Sequence, residues 1–462
     1  MVRCSRFGPE QPISAGSQIG FLHFLLITED EVRLGARNAE SPFSQEGNTA
    51  MKTSQNKILK AAGAVMSYTV GIRNYIHKHP ELRWTEDRTL SYIKERFLNM
   101  TSSEQFAGAV SFKEAEGGLW IDFIFDPDFD QILFRADVDA LPIQEETGLT
   151  FASWNPGVSH ACGHDMHTAM LLGAMRAIAS GAVQPVHNLR FVFQRAEENP
   201  GSAPRPESGG KVLVEEGVLE GISHVYGLHI RADKPAGVFM SRGGPMMANS
   251  DRLKVEIFCT GGHVKDPHIG SNTIDIGVRI CQELEGFALR TLGPNEPVSL
   301  VPAIFQSGTA SNIRPNRAEL WFAVRNMLSE GARRAFHCEL RDRIEYIVGG
   351  YKGAHSTVTY VYGHPALINE ERSFRYVSSL LSEATYSVTE AERSFGGEDF
   401  AYYLQKVPGS FWYIGAENPD MPGGHHTATF NPREEEMEKG VAFWLLLAST
   451  PFPTDPQESV PL

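Results

Sequence analysis

The sequence contains no hydrophobic stretch long enough to cross a membrane. Its longest apolar run near the N-terminus, Ile19 to Ile27, is interrupted by His23 and is far shorter than the ~20 residues that a membrane helix needs. The run also makes a poor signal peptide, because the acidic segment Thr28-Glu-Asp-Glu31 stands where a cleavage site needs small residues. Met51-Lys-Thr-Ser-Gln-Asn-Lys57 is instead typical of a natural start, so we expect residues 1–50 to be a disordered or non-native extension.

Cysteine and positive charge are both scarce. The five cysteines are odd in number and widely spread, which argues against a disulfide framework and predicts a reducing, cytoplasmic location. Lysine and arginine total 42 against 56 aspartates and glutamates, so the net charge is −14, and no Lys/Arg-rich run is present. Binding to nucleic acid is therefore disfavoured. The cysteines are Cys4, Cys162, Cys259, Cys281 and Cys338.

The 462 residues are 42% apolar and 21% charged, enough to bury the core of a soluble globular protein of two or three units. Strand and helix patterns alternate along much of the chain. An apolar strand at Gln131–Phe134 is followed by a helix from about His167 to Ala179 and by strands at Leu189–Gln194 and His224–His229. This alternation predicts an α/β fold whose mostly parallel sheet, with helices on both faces, forms a catalytic domain.

The pattern changes near Arg252, where apolar and charged residues begin to alternate. We interpret residues 251–364 as an inserted, smaller α+β domain that divides the catalytic domain into residues 51–250 and 365–462. At the chain's start, apolar residues from Ile58 to Ile76 predict one amphipathic helix. Near its end, a last helix is expected to bury Met437, Val441 and Trp444 and to turn Glu434, Glu435 and Glu438 to water.

Side chains that bind divalent metals stand at the ends of predicted strands or in the loops after them. Two carboxylates at the edge of a core cost several kcal/mol unless a cation compensates them, so the adjacent Glu197 and Glu198 are informative. Thiol, imidazole and carboxylate together suit a borderline metal ion. The candidates are Cys162, His164, Glu197, Glu198, His229, His425 and His426.

A thiol nucleophile is an alternative interpretation of the same residues. Cys162 paired with His164 or His160 contains the minimum that such chemistry needs. It leaves both glutamates and His229 without a role, which favours the metal site.

Six short runs, in order and with sensible spacing between Ile58 and Ser449, resemble the aminoacylase/carboxypeptidase-type metallopeptidases. The similarity is strongest to the N-acyl-amino-acid amidohydrolase branch, which includes hippurate hydrolases and indoleacetyl-amino-acid hydrolases. The runs are His77-Lys-His-Pro-Glu-Leu82, Arg135-Ala-Asp-Val-Asp-Ala-Leu-Pro142, His160-Ala-Cys-Gly-His-Asp-Met-His167, Gln194-Arg-Ala-Glu-Glu198, Gly227-Leu-His229 and Gly397-Glu-Asp-Phe400.

The resemblance implies a site with two divalent metal ions, Mn or Zn, per subunit. Glu197 matches the general base, and Asp137 matches an acid that orients a ligand from behind. At the C-terminal ligand position, His426 keeps the expected spacing to Phe430, and His425 is the adjacent rival. The implied metal ligands are Cys162, His164, Glu198, His229 and His426.

The resemblance also assigns the insertion as a lid and dimerisation domain, so we expect a homodimer or higher homo-oligomer. His263 matches a lid histidine that stabilises the oxyanion from the partner subunit, although Val264-Lys-Asp266 replaces the usual small residues. Asn312 and Arg325 match positions that hold the substrate's carboxylate.

The implied activity is metal-dependent hydrolysis of the amide bond of an N-acyl-amino acid to a carboxylic acid and a free amino acid. The alternatives are a dipeptidase or carboxypeptidase of the same family, or a non-catalytic relative that binds a metal or an amino acid. No motif in the sequence identifies the acyl group that the enzyme prefers.

Overall fold

The computed structural model describes residues 55–102, 106, 108–198 and 207–453. The expected extension over residues 1–50 lies outside these described residues. No helix among them is long and apolar enough to span a membrane.

A large mixed sheet carries the α/β part of the fold. Its eight described strands lie in the order β1-β2-β4-β3-β5-β16-β6-β15, and the central pairs β4/β3, β3/β5 and β5/β16 are parallel. The pairs β1/β2, β2/β4 and β16/β6 are antiparallel, and β6/β15 is parallel. The strands are β1 (Ala109–Ala115), β2 (Gly118–Ile124), β3 (Gln131–Asp137), β4 (Asn188–Gln194), β5 (Ile222–Arg231), β6 (Val238–Ser241), β15 (Ser387–Glu390) and β16 (Gly409–Gly415).

Helices cover both faces of this sheet, because its central strands are apolar on both sides. In β3, Ile132 and Phe134 pack into one core while Leu133 packs into the opposite one. The predicted α/β class with a mainly parallel sheet is therefore confirmed. The helices on the first face are α1 (residues 55–64), α2 (Met66–Lys78), α3 (Asp87–Thr101), α4 (His164–Ala179), α8 (Glu371–Glu383) and α10 (Met437–Ser449), and those on the second are α5 (Gly209–Glu215) and α9 (Ala401–Leu404).

Two details at the chain's ends differ from expectation. The single helix expected from Ile58 to Ile76 is divided at Val65, whose N–H bonds the carbonyl of Ala62 three residues back, so that a tight turn separates α1 from α2. In the C-terminal segment, Glu434 is half-buried, because it forms an ion pair with the buried guanidinium of Arg73 (2.8 Å). Glu435 and Glu438 are exposed as expected, and Met437, Val441 and Trp444 are buried.

A second, antiparallel sheet lies within the segment that was expected to be an insertion. Its strand order is β10-β12-β8-β13, and its core is filled by alternate residues of β8 together with two long helices. The sheet spans residues 251–361, and the proposed domain bounds of 251–364 remain a prediction. The elements are β8 (Asp251–Phe258), α6 (Thr273–Leu292), β10 (Val298–Ser307), β12 (Arg317–Asn326), α7 (Glu330–Gly349) and β13 (His355–Val361).

Two short strand pairs complete the described structure. The antiparallel pair β7/β14 lies where the chain enters and leaves the second sheet, and the β9/β11 pair joins Gly262–His263 to Ile313–Arg314. The strands are β7 (Gly244–Met247), β9 (Gly262–His263), β11 (Ile313–Arg314) and β14 (Leu367–Asn369).

Candidate metal centre

The chemistry-bearing residues meet at the carboxyl edge of the large sheet. Asp137 ends β3, Glu197 follows three residues after β4, and His229 lies near the end of β5. Cys162 and His164 flank Gly163, which has a φ of +97° at the start of α4. A Cβ at Gly163 would lie 2.4 Å from a methyl carbon of Ile230, so this close approach requires glycine. The carboxyl edge of parallel strands is where α/β sheets place their sites.

All five ligand positions that the resemblance implied come together there. Their donor atoms form overlapping groups whose members lie within 4.8 Å of one another. Cys162 Sγ is 3.4 Å from His229 Nε2, and Glu198 Oε1 is 3.1 Å from His426 Nε2. The groups are Cys162 with His164 and His229, Cys162 with Glu198 and His426, and His164 with Glu197 and Glu198.

The donor set fits a divalent cation. His164 Nε2 is buried and has no hydrogen-bond partner within the part of the chain that the structure describes, and such an atom costs about 1–3 kcal/mol if it stays unpaired. Burial, together with the charge of Glu198, raises the pKa of the Cys162 thiol to about 12. A thiol of that pKa is a poor nucleophile without a positive neighbour, so the geometry favours a ligand over the alternative catalytic thiol. Neither ring nitrogen of His160 has a partner among the described residues.

Hydrogen bonds on the far side of each imidazole aim the ligand nitrogens at this point. His164 Nδ1 lies 2.9 Å from the carbonyl oxygen of Asp139 and 3.1 Å from its Oδ1, and it donates there. His229 Nδ1 donates to the carbonyl of Ile230 (2.6 Å), which leaves Nε2 free to face Cys162. Asp139 Oδ2 also accepts the backbone N–H of Glu198 (3.0 Å). One carboxylate thus orients two ligands, a role of the kind that metal sites depend on.

Asp137 lies behind the ligands and is fixed from two sides. Its Oδ1 accepts from His167 Nδ1 (2.6 Å), its Oδ2 accepts from Arg135 (2.6 Å), and Oδ2 is 3.7 Å from His164 Nε2. His167 Nε2 in turn accepts the N–H of Ile230 (2.9 Å), so both nitrogens of that ring are occupied. The carboxylate that accepts a hydrogen bond directly from the ligand His164 is therefore that of Asp139, and we had not predicted this role for Asp139.

Glu197 lies beside the candidate ligands His164 and Glu198. Its side chain is only 9% exposed and stands between the ligand Glu198 and a second acidic pair, Glu398 and Asp399. Burial, followed by the charges of Glu398 and Glu198, raises the pKa of Glu197 well above its ordinary value. A carboxyl group with a raised pKa can exchange protons near neutral pH.

The two adjacent histidines near the C-terminus have different surroundings. His425 Nε2 accepts the N–H of Ala232 (3.1 Å), and its Nδ1 lies 3.8 Å from Cys162 Sγ. His426 has a φ of +60°, is 51% exposed, and presents Nε2 to Glu198, whose carboxylate raises the pKa of this imidazole. Because only His426 shares a group with Cys162 and Glu198, the geometry favours it over His425 as the ligand.

His263 ends β9 and Asn312 immediately precedes β11, and no contact among the described residues joins either of them to the metal centre. Both are exposed, and the carbonyl of Asn312 accepts the N–H of Val264 (3.2 Å). His263 Nδ1 accepts the N–H of Lys265 (3.1 Å), so the proton of the neutral ring stands on Nε2. The structure thus supplies an outward-facing hydrogen-bond donor at this position.

Arg325 lines a separate cavity of about 570 Å³ at the junction of the two sheets. It donates to the carbonyl of Asn249 (3.0 Å), and burial lowers the pKa of its guanidinium. The buried His364 also lines this cavity, and its Nδ1 has no partner among the described residues. Our sequence analysis assigned no role to His364.

Comparison with known proteins identifies the family of this chain. The sequence model of the family described as "Peptidase family M20/M25/M40" matches residues 133–450 of this chain. This chain belongs to that family.

Individual relatives of the M20 family agree with this assignment. The thermostable carboxypeptidase 1 of Saccharolobus solfataricus is 32% identical over 394 residues, which is 83% of this chain and 95% of that protein. The N-acetylcysteine deacetylase of Bacillus subtilis is 32% identical over 379 residues, 82% of this chain and 95% of its own. The crystal structure of the Bacillus subtilis YXEP protein, described as a dinuclear metal-binding peptidase of the M20 family, is similar with a TM-score of 0.71 and 30% identity, covering 84% of this chain and 98% of that one.

The family resemblance inferred from the motifs is thus confirmed, as is the expectation of an enzyme. The chain is a metal-dependent hydrolase of the amidohydrolase and peptidase type. The matched segment contains every site residue proposed from the sequence, from Asp137 to His426.

Proposed function

We propose that this M20 hydrolase cleaves the amide bond of N-acyl-amino acids, releasing a carboxylic acid and a free amino acid. The observation that carries the proposal is the divergence of two adjacent glutamates. Both carboxylates lie within 4.8 Å of His164, but Glu198 also groups with Cys162 and His426, whereas Glu197 groups with Glu398 and Asp399. An amide hydrolase of this type needs one carboxylate on the metal and one beside it that is free to move a proton.

Cys162, His164, Glu198, His229 and His426 would hold two divalent cations, Mn or Zn. When bound, the pair polarises the scissile carbonyl and activates a water at neutral pH. The unpaired His164 Nε2 and the mixed thiol, imidazole and carboxylate donors support this assignment.

Glu197 moves the proton in this proposal. Its carboxylate accepts a proton from the attacking water and then donates that proton to the leaving amine nitrogen. The raised pKa of Glu197 supports the second half of this cycle, because the protonated acid persists long enough to be passed on. Asp137 supports the centre from behind through His167 and Arg135.

Arg325 and Asn312 would bind the substrate's carboxylate, and His263 Nε2–H would stabilise the oxyanion. In a single chain, however, His263 and Asn312 are exposed and away from the metal centre. We therefore infer that His263 acts on the partner subunit's site.

An apolar surface on the second sheet supports a homodimer. On the helix side of β10, the ring of Phe305 lies against Gly277 of α6, and Phe305 is exposed together with Ile274 and Val278 of that helix. Exposed apolar side chains grouped on one face are typical of an interaction surface. A closed symmetric dimer through this face is the simplest assembly.

A cytoplasmic location remains part of the proposal. The described cysteines, Cys162, Cys259, Cys281 and Cys338, form no disulfide with one another, which is consistent with a reducing compartment.

A peptidase is the second candidate, because the carboxypeptidase relative is as similar to this chain as the deacetylase relative. Turnover of N-acetyl- and N-benzoyl-amino acids should be compared with turnover of dipeptides that carry a free amine, after reconstitution with Mn²⁺ or Zn²⁺. We expect higher kcat/KM for the acylated amino acids. A clear preference for the dipeptides would assign the chain to the peptidases instead.

A further inference from the structure

The two glutamates directly follow a backbone turn of unusual conformation. Ala196, which separates β4 from Glu197, has a φ of +50°. This left-handed region is unfavourable for a residue with a Cβ atom, so the surrounding structure must hold Ala196 there. A relaxed backbone at Ala196 would turn both glutamate side chains away from their present positions.

A buried carboxylate holds this turn. The N–H of Ala196 donates to Glu86 Oε1 (2.8 Å), and both residues are completely buried. Two further hydrogen bonds hold the same turn. The carbonyl of Ala196 accepts from the N–H of Gly209 (3.1 Å), and two residues later the N–H of Glu198 donates to Asp139 (3.0 Å). Of these three contacts, the one with Glu86 joins a side chain directly to Ala196, the strained residue.

Glu86 has no other evident task among the described residues. It stands at the N-cap position of α3, yet its side chain makes no capping hydrogen bond. Glu81 does that instead, since its carboxylate accepts the N–H groups of Arg88 (3.2 Å) and Thr89 (2.8 Å). Glu86 Oε2 has no hydrogen-bond partner there, and Arg195 lies 3.6 Å from it. Burying a carboxyl group with so little compensation is costly unless it serves a purpose.

We propose that Glu86 is a positioning residue that fixes the left-handed Ala196 turn and so directs Glu198 to the metals and Glu197 to the substrate. This inference rests on the proposed function for the roles of Glu197 and Glu198. Glu86 touches neither metal nor substrate, and it acts through the acceptor oxygen that it offers to Ala196.

The test compares metal affinity in four variants, measured by competition with a chelator for Zn²⁺ and Mn²⁺. Glu86→Leu keeps a similar volume but removes the acceptor, and it should lower metal affinity by about 10- to 100-fold. Glu86→Gln keeps an acceptor oxygen and should stay near the parent protein. In the double variant Glu86→Leu/Ala196→Gly, glycine accepts the positive φ freely, so most of the affinity should return.

Glu81→Ala is the matched control, because it removes a nearby backbone-binding carboxylate that has no contact with the Ala196 turn. We expect it to lower the thermal stability of the protein and to leave metal affinity unchanged. If Glu86→Leu does not fold, Glu86→Asp replaces it, since the shorter side chain cannot reach Ala196 and should also weaken metal binding.

Two results would overturn the proposal. The first is parent-like metal affinity in folded Glu86→Leu or Glu86→Asp. The second is a loss that Ala196→Gly does not recover, or that Glu86→Gln shares, since either would show a general structural or charge role. Absence of turnover on N-acyl-amino acids in the parent protein would reject the proposed function alone, because the metal-affinity comparison does not use turnover.

Discussion

The metal centre and the β9/β11 pair both carry residues expected to act in catalysis, but their environments are opposite. At the metal centre, His164 and Asp137 are completely buried. Hydrogen bonds fix His164 through its Nδ1 and Asp137 through its Oδ1. On the β9/β11 pair, His263 and Asn312 are exposed. Under the proposed function, one chain builds the centre that activates water, whereas the groups for the oxyanion and the substrate act from a second subunit.

The largest expected effect comes from the proton carrier at the buried centre. Glu197→Gln should reduce kcat by about 10²- to 10⁴-fold while metal content stays at the parent level, because the amide is isosteric but cannot accept the proton. Steady-state kinetics together with elemental analysis measure both quantities. Unchanged turnover would reject Glu197 as the base, and would favour a water activated by the metals alone.

The next largest effect is expected at the exposed His263, and it also tests which subunit's site this histidine serves. His263→Ala should lower kcat by about 10²- to 10³-fold, because a preorganised oxyanion donor is lost, with no change in metal affinity. If His263 acts on the partner subunit, mixing this variant with Glu197→Gln and allowing subunit exchange should restore one of the two sites in each mixed dimer, which is about half of the parent activity per mixed dimer and about a quarter for the whole equimolar mixture. No recovery after proven exchange would place His263 in its own chain's site.

A smaller effect is expected from the residue that orients two ligands. Asp139→Ala should weaken metal binding by about 10- to 100-fold, because the backbone of Glu198 loses its acceptor and His164 keeps only the backbone carbonyl of residue 139. Titration with Zn²⁺ against a chelator gives the affinity. The exposed Asp128, whose contact is with Asp126 in a surface turn, is a suitable control position. Equal affinities for Asp139→Ala and Asp128→Ala would show that the orienting contact is dispensable.

The smallest effect is on stability, at a buried ion pair beside the centre. His77 donates from Nδ1 to Asp165 (2.8 Å), and although burial lowers the pKa of His77, Asp165 and Glu145 raise it overall from 6.5 to about 8. Because the folded pKa is the higher one, the pair stabilises the fold fully below pH 6.5, and this contribution is lost as pH rises through 8. It amounts to about 2 kcal/mol.

Urea unfolding of the metal-free protein at pH 6 and pH 9 should therefore show a pH-dependent loss in the parent that His77→Gln lacks. Equal pH dependence in the two proteins would mean that His77 is not charged in the folded state.

Local patterns in the sequence predicted most of the fold. The apolar strands around Phe134 and Phe191 and the change of pattern near Arg252 gave the α/β sheet and the position of the second sheet. The division of the first helix at Val65 was missed, because apolar spacing continues across it and only the backbone hydrogen bond reveals the turn. The antiparallel edges of the large sheet were likewise hidden, since strand direction depends on tertiary connections.

The candidate ligands were also accessible from sequence, because they stand at strand ends or in loops and belong to chemically distinctive motifs. The residues that hold these ligands in position could not be predicted from the sequence. Asp139 and Arg135 lie in a quoted motif, but their roles follow from partners far away in the sequence, such as Asp399, which Arg135 contacts at 2.7 Å. Glu86 is linked to Ala196 across 110 residues. Nothing in local spacing predicts such contacts.

The central claim is that five side chains from separate parts of the sequence hold a pair of divalent cations. Elemental analysis of protein prepared without chelator tests it most directly, with the parent chain compared with Cys162→Ala and Glu198→Gln. We predict about two equivalents of Mn or Zn per parent chain and a clear loss in both variants. A parent protein that hydrolyses its substrate without bound divalent metal, or variants that retain the full metal content, would contradict the account.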